Sequence, residues 1–295
     1  MSQLNSQTVG VVGLGPMGGA LADGLLENHF DLSVWNRSTD KCSRFAEQGA
    51  NIVGSVEDLA AASDVIVVCL IDHAVSMAIL EKESIARIMA GKTLIMLTTM
   101  TAEESIATAE LASNKGISYL DGAILGYPTN IREQACMVAY SGQKSVFDSC
   151  IAILNAMGAM PRHVGERPGT SSYFGLAIYS TYYAHVAGVL HGAAICTAAG
   201  APLDVFRENL TSYWDWAAED APFLQRVINR DYSQTEASLE GHAMVYDLIP
   251  ELSEQIGISS KLARVISGYL HTAIAQGQGD CGLTALFEIL SRPDQ

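Results

Sequence analysis

The stretch TVGVVGLGPMG, Thr8 to Gly18, decides the fold. A short apolar run ends in Gly13-Leu14-Gly15-Pro16-Met17-Gly18, which fits G-x-G-x-x-G, and a helical stretch from Pro16 to Asn28 follows directly. This strand–turn–helix order is the context in which the glycine spacing has a mechanism. Gly13 permits the tight turn, Gly15 lets a pyrophosphate approach the backbone, and Gly18 allows helix and strand to pack closely. The helix N-terminus then offers unpaired N–H groups and the positive end of its dipole to phosphate. A tight turn with no ligand is the competing reading, and the flanking order weighs against it.

Outward from this turn, Asp31–Asn36, Asp64–Ile71 and Thr93–Thr98 read as strands. The last two are continuous apolar runs, as parallel strands covered on both faces require. Helical stretches fall at about 40–48, 56–62, 74–89 and 102–113, with further strands at 118–121 and 136–140 and a helix near 146–157. The alternation predicts an α/β fold with a doubly wound parallel sheet. Past Gly165 the strand signals stop. The expected organisation is a Rossmann domain over 1–165 and an all-helical domain over 166–295. The two are joined by a helix over about 171–199, which would span about 40 Å.

That helix lies in a run from Pro168 to Leu203 without one Asp, Glu, Lys or Arg. Its length raises a transmembrane reading. Its serines, tyrosines and histidines, and its isolation in an otherwise polar pattern, favour a helix buried in a protein or dimer core. Ala184, Gly188 and Gly192 recur every four residues and form a flat strip that a second helix can approach. A homodimer is the expected partner arrangement. The formal net charge of −15 argues against nucleic acid and anionic membranes as partners. Six scattered cysteines without a C-x-x-C pair argue against a metal site or disulfide framework and suit a cytoplasmic location.

The end of the second strand separates NAD from NADP. An NAD enzyme usually places a carboxylate there for the ribose hydroxyls. This chain has Asn36-Arg37-Ser38, with Lys41 one turn later. Arg37 can pair with a 2′-phosphate or stack on adenine, Ser38 can donate, and Lys41 adds charge, so NADPH is the expected cofactor. Cys69, Leu70 and Ile71 at the end of the third strand, and Thr98 at the end of the fourth, complete the expected cofactor set.

Several ordered motifs now carry a resemblance: GLGPMG, WNRS with Lys41, VVCLID, YLDGAILGYP, YSG at Tyr140–Gly142, GERPGT, RDYSQTEASL and QGQGD. The chain resembles the β-hydroxyacid dehydrogenase superfamily and, within it, the imine reductases and reductive aminases. YLDGAILGYP discriminates best, because the hydroxyacid dehydrogenases tend to carry a D-A-P-V-S-G-G-like stretch there. The resemblance makes 166–295 a dimerisation and substrate domain. It implies an intertwined homodimer whose active site lies between one subunit's Rossmann domain and the other's helical domain.

It also implies a lysine on the interdomain helix for hydroxyacid chemistry, yet no lysine occurs between Lys144 and Lys261. Imine reductases usually carry Asp, or less often Tyr, six residues after the glycine of P-G; here that position is Gly175. Tyr179 and Tyr183 follow one and two turns later on the same face and are the candidate replacements, with core aromatics as the bland alternative. Tyr183 also matches a tyrosine that the family often keeps in its site. A protonated imine brings its own proton, so hydride addition gives a neutral amine without a strong acid.

Met96 (where many relatives have Asn), Thr99, Tyr127, Trp214, Trp216 and Tyr246 are further pocket candidates. The aromatics would serve as walls with cation–π character. The two tryptophans are equally readable as interface residues. The sequence therefore points to NADPH-dependent reduction of C=N, with reductive amination as an extension. A C=O or C=C reductase of the same superfamily, and an NADPH-binding protein without chemistry, stay open.

Overall fold

The computed structural model describes residues 7–133, 136–158, 160–213, 216–233 and 237–292, with side chains at 211–221 outside the described set. In chain order the N-terminal elements are β1 (Val9–Val12), α1 (Pro16–Glu27), β2 (Leu32–Trp35), α2 (Ser43–Glu47), β3 (Asn51–Ile52), α3 (Val56–Ala62), β4 (Val65–Val68) and α4 (His73–Leu80). They continue with α5 (Glu83–Met89), β5 (Thr93–Met96), α6 (Ala102–Asn114), β6 (Ser118–Leu125), β7 (Met137–Gly142), α7 (Lys144–Met157) and β8 (Met160–Gly165). Helices follow: α8 (Thr170–Ala198), α9 (Leu203–Tyr213), α10 (Trp216–Asn229), α11 (Leu239–Tyr246), α12 (Leu248–Gln255), α13 (Lys261–Ala273) and α14 (Leu286–Leu290).

The strands form one sheet in the order β3-β2-β1-β4-β5-β6-β7-β8. The chain moves from β1 outward to β2 and β3, then crosses back to place β4 on the other side of β1. That reversal makes a crevice beyond the carboxyl ends of β1 and β4, where open α/β sheets bind ligands. Side chains alternate across the strands. Val65 and Val67 of β4 pack in the layer with Leu21 and Leu25 of α1 and Ile153 of α7, whereas Ile66 and Val68 face Leu59 of α3 and Ile85 of α5. Both faces are covered, which accounts for the unbroken apolar runs.

Four features differ from the sequence expectation, the first being β3, a two-residue edge strand with no apolar run to announce it. β6 and β7 pair antiparallel, so the sheet is only mostly parallel. β8, parallel to β7, was not expected, because Pro161, Arg162 and His163 leave it no apolar run. The helix expected over 74–89 is two helices, α4 and α5, parted at Glu81–Lys82. Asp72 caps α4 by accepting from Val75 N–H at 2.8 Å, which fixes the Leu70–Asp72 loop at the crevice.

The chain divides into two compact units between Thr181 and Tyr182, inside α8. The second unit has its own core of Leu239, Ala243, Leu270, Ala273 and Ala285, contributed by α11, α13 and the turn before α14. Within that unit Phe206 of α9 packs on Gly192, where a methyl group would lie 2.9 Å from its ring. Part of the small-residue strip is thus filled by the chain itself, while Gly188 faces open space. Among the described residues no helix is long and apolar enough to cross a membrane.

Candidate active site

The three motif glycines are required for three different reasons. Gly13 has φ +101°, and a methyl group on it would lie 2.3 Å from the Cys69 carbonyl oxygen, so β1 and β4 close together only over glycine. A methyl on Gly18 would meet the Gly13 carbonyl at 2.0 Å, which is the close approach of α1 to the turn. Gly15 is the opposite case, with no heavy atom within 4 Å of a methyl built there. It is the N-cap of α1, Pro16 follows as the first helical residue, and no side chain caps the helix. The first N–H groups of α1 therefore look into free volume.

Asn36 holds the turn open. Its Oδ1 accepts from Leu14 N–H at 2.9 Å while its Nδ2 donates to Ser38 O at 2.9 Å, tying the glycine turn to the end of β2. A groove of about 460 Å³ runs from this turn across the ends of β1, β2 and β4. Gly13, Gly15, Pro16, Met17, Gly18, Asn36, Arg37, Ser38, Lys41, Cys69, Leu70 and Ile71 all line it. Leu14 does not; its side chain is buried in the core and only its N–H serves the turn. Trp35, Val75 and Ile79 also line the groove and were not anticipated. Val75 and Ile79 are one turn apart on α4, so the helical repeat was the available signal.

A second cavity, about 230 Å³, adjoins the groove through the shared residues Met17, Cys69 and Leu70. Thr98, Thr99, Gly175 and Tyr179 line it, together with Leu97, Met100, Ala123, Ile124, Ser172 and Leu176. Positions 172, 175, 176 and 179 form one helical stripe. Among the described residues no Asp, Glu, Lys, Arg or His lines this cavity. Burial pushes the Cys69 thiol up to about 12, so it is neutral at physiological pH.

Thr98 belongs to this cavity rather than to the groove, and its hydroxyl is committed internally. It accepts from Leu70 N–H at 3.0 Å and contacts Ser76 Oγ at 3.0 Å, and Ser76 Oγ donates to Asp72 O. One proton order satisfies the whole chain: Leu70 N–H to Thr98, Thr98 to Ser76, Ser76 to Asp72 O. The network braces the Leu70 wall that both cavities share.

Two expected pocket residues, Met96 and Tyr127, are not part of this lining. Met96 is fully buried in the core layer with Leu94, because β5 alternation turns it away from the cavity. Tyr127 is exposed beside Gly126, outside the lining. Tyr183 and Tyr246 belong to the second unit. There Tyr183 is 67% exposed and lies edge-on to Tyr182, and Tyr246 packs on the α11–α13 core, where burial raises its hydroxyl. Trp214 and the side chain of Trp216 fall outside the described residues.

Gly175 leaves no room for a side chain. A methyl group there would lie 2.7 Å from Ala123 Cβ, so α8 approaches β6 over glycine alone. One turn on, the Tyr179 hydroxyl donates to Ile124 O at 2.5 Å at the cavity wall.

Residues 8–165 match the family model described as the NAD binding domain of 6-phosphogluconate dehydrogenase. Residues 167–292 match that of the NADPH-dependent reductive aminase-like C-terminal domain. An imine reductase from Myxococcus stipitatus, solved in complex with NADP+, is 31% identical with a TM-score of 0.89, covering 96% of this chain and 99% of that one. The chain belongs to the imine reductase and reductive aminase family. Further relatives span the same length. An NADPH-dependent reductive aminase from Aspergillus oryzae is 28% identical over 96% of this chain and 97% of its own. A reductive aminase from Aspergillus terreus, solved with NADPH4, cyclohexanone and allyl amine, is 26% identical with a TM-score of 0.86 over 97% and 100%.

Proposed function

We propose that this chain is an NADPH-dependent imine reductase, reducing C=N to an amine and extending to reductive amination of a carbonyl with an amine. The observation that carries the reading is a groove of dinucleotide type adjoining a cavity that has no lysine and no carboxylate among its described lining residues, in a chain of this family. The free volume over Gly15 and the uncapped start of α1 fit a pyrophosphate. Arg37, Ser38 and Lys41 would hold a 2′-phosphate, and Trp35, Ile71 and Val75 would flank the adenine end. When bound, the cofactor supplies hydride.

The remaining work falls to the chain's own residues. Met17, Cys69 and Leu70 line both the groove and the cavity, so the two sites adjoin at these residues. Leu97, Met100, Ala123, Ile124 and Leu176 exclude water and select an apolar substrate. The neutral lining suits an iminium that carries its own proton, since no residue must deliver one during reduction. Tyr179 and Tyr183 would orient the substrate nitrogen by hydrogen bonding, Tyr179 from the cavity wall and Tyr183 from one turn further along α8. A hydroxy acid finds no cation among the described lining residues to meet its carboxylate.

A homodimer is part of the same proposal. α8 carries no Asp, Glu, Lys or Arg, yet among its described residues only Ser171, Ser172 and Gly175 are buried, and Leu176, Tyr183 and Leu190 are all more than half exposed. An uncharged helix this exposed requires cover, which a second copy supplies. The six free thiols support a reducing, cytoplasmic setting.

NADPH consumption across a cyclic imine, the matching ketone, a ketone plus amine, and a 3-hydroxy acid with NADP+, with product identified, tests the reading. The imine should be the best acceptor and the hydroxy acid inert. Turnover confined to the ketone or the hydroxy acid would overturn it.

A further inference from the structure

Asp121 is a fully buried carboxylate that no step above uses. It stands on β6 and accepts from Ser141 Oγ at 2.9 Å, from Gly169 N–H at 3.3 Å and from Ser171 Oγ. Ser141 Oγ in turn accepts from Ser171 N–H at 3.0 Å. The donors come from β7, from the turn before α8 and from the first turn of α8 itself. Burial pushes the Asp121 carboxyl up, and these hydrogen bonds oppose that rise. Gly169 has φ +84°, and a methyl there would lie 2.7 Å from Ala102 O, so the turn has little freedom.

Above this anchor, α8 follows β6 point by point. Ser171, Gly175 and Tyr179 are spaced at i, i+4 and i+8 on one helix face. Ser171 bonds Asp121, Gly175 rests on Ala123, and the Tyr179 hydroxyl reaches Ile124 O. Eight helical residues advance about 12 Å and three strand residues about 10 Å, so helix and strand keep pace along the contact. A slip of one residue would translate α8 by about 1.5 Å and turn Tyr179 about 100° around the axis. The cavity would lose that hydroxyl.

We propose that Asp121 is a positioning residue: its buried hydrogen bonds to Gly169, Ser171 and Ser141 set the register of α8 on β6 and thereby hold the Tyr179 hydroxyl at the substrate cavity. The inference rests on the reading that Tyr179 faces the substrate nitrogen. A register role differs from plain stabilisation, because its kinetic effect passes through Tyr179. Asn at position 121 keeps the size but presents an NH2 group to a ring of donors, disturbing the anchor without emptying it.

The test uses the full-length enzyme, with NADPH oxidation by 2-methyl-1-pyrroline, in a cycle of wild type, Asp121→Asn, Tyr179→Phe and the double variant. Asp121→Asn should lower kcat about tenfold while leaving the KM for NADPH within twofold, because the groove is built on β1, β2 and β4. In the Tyr179→Phe background the same change should lower kcat less than threefold, since the hydroxyl it places is gone. Unchanged kcat in Asp121→Asn, or a full tenfold loss in both backgrounds, overturns the inference while Tyr179 stands. Wild-type kcat in Tyr179→Phe overturns the reading of Tyr179 and this inference with it. Should Asp121→Asn not fold, Ser171→Ala removes a single donor. It should lower kcat about threefold in the wild-type background and not at all with Phe at 179; any other pattern contradicts the proposal.

Discussion

Replacing Gly15 by Ala separates cofactor binding from folding. Gly15 has φ −63° and ψ −179°, a conformation that Ala adopts readily even before proline. Its new methyl would meet no heavy atom within 4 Å. The folded protein accommodates the change without strain, and the unfolded chain loses freedom, so stability should rise by about 0.4–1 kcal/mol. For a chain of this size that corresponds to a Tm increase of about 0.6–1.6 °C. The same methyl occupies the volume into which the first N–H groups of α1 look. NADPH affinity should therefore fall at least tenfold, about 1.4 kcal/mol. Gly13→Ala is the contrasting control. With φ +101° and a contact at 2.3 Å to Cys69 O, it should lose stability, about 1–3 kcal/mol from the backbone strain alone. Thermal unfolding without cofactor and fluorescence titration with NADPH read the two quantities separately. A Gly15→Ala protein that binds NADPH as tightly as wild type would refute the reasoning, and so would one destabilised like Gly13→Ala.

Arg37→Ala should weaken NADPH at least tenfold more than NADH, read from the two dissociation constants; equal losses would remove the 2′-phosphate contact. Gly175→Asp should destabilise by about 1–3 kcal/mol without raising kcat, because Ala123 is held by the β6 backbone and cannot yield; a stable and faster variant would contradict the packing account. Tyr183→Phe should lower kcat on a cyclic imine about tenfold, or about 1.4 kcal/mol, and unchanged turnover would remove Tyr183 from the site. Asp64 is held below the usual carboxylate range, first by the Thr8 N–H and then by the Thr8 hydroxyl. A depressed folded pKa contributes stability above the unfolded value of about 4 and loses it as pH falls further. Wild type should thus lose its advantage over Asp64→Asn below about pH 4 in urea unfolding, and a pH-independent gap would count against it.

The parts legible in the sequence were those whose signal is local. Gly13, Gly15 and Gly18 with Pro16 mark the turn by spacing alone, and Asn36-Arg37-Ser38 stands out because it directly follows a strand. Groove residues such as Trp35 and Ile79 escaped because an apolar side chain facing a ligand looks like one facing the core. Met96 shows the converse error, since its correspondence to a polar position of relatives suggested the cavity while alternation of β5 buried it. The Asp121 anchor was invisible for another reason: its donors lie 20, 48 and 50 residues away. The sequence shows Gly175, but not the Ala123 methyl packed against it, a contact that exists only in three dimensions.

The most direct measurement follows deuterium from NADPH labelled at the nicotinamide C4 into the product of a cyclic imine. The expected product is the amine with a single deuterium on the carbon that was doubly bonded to nitrogen, formed in step with NADP+. Amine without label, or label appearing only in an alcohol from the ketone, would contradict direct C=N reduction by this chain.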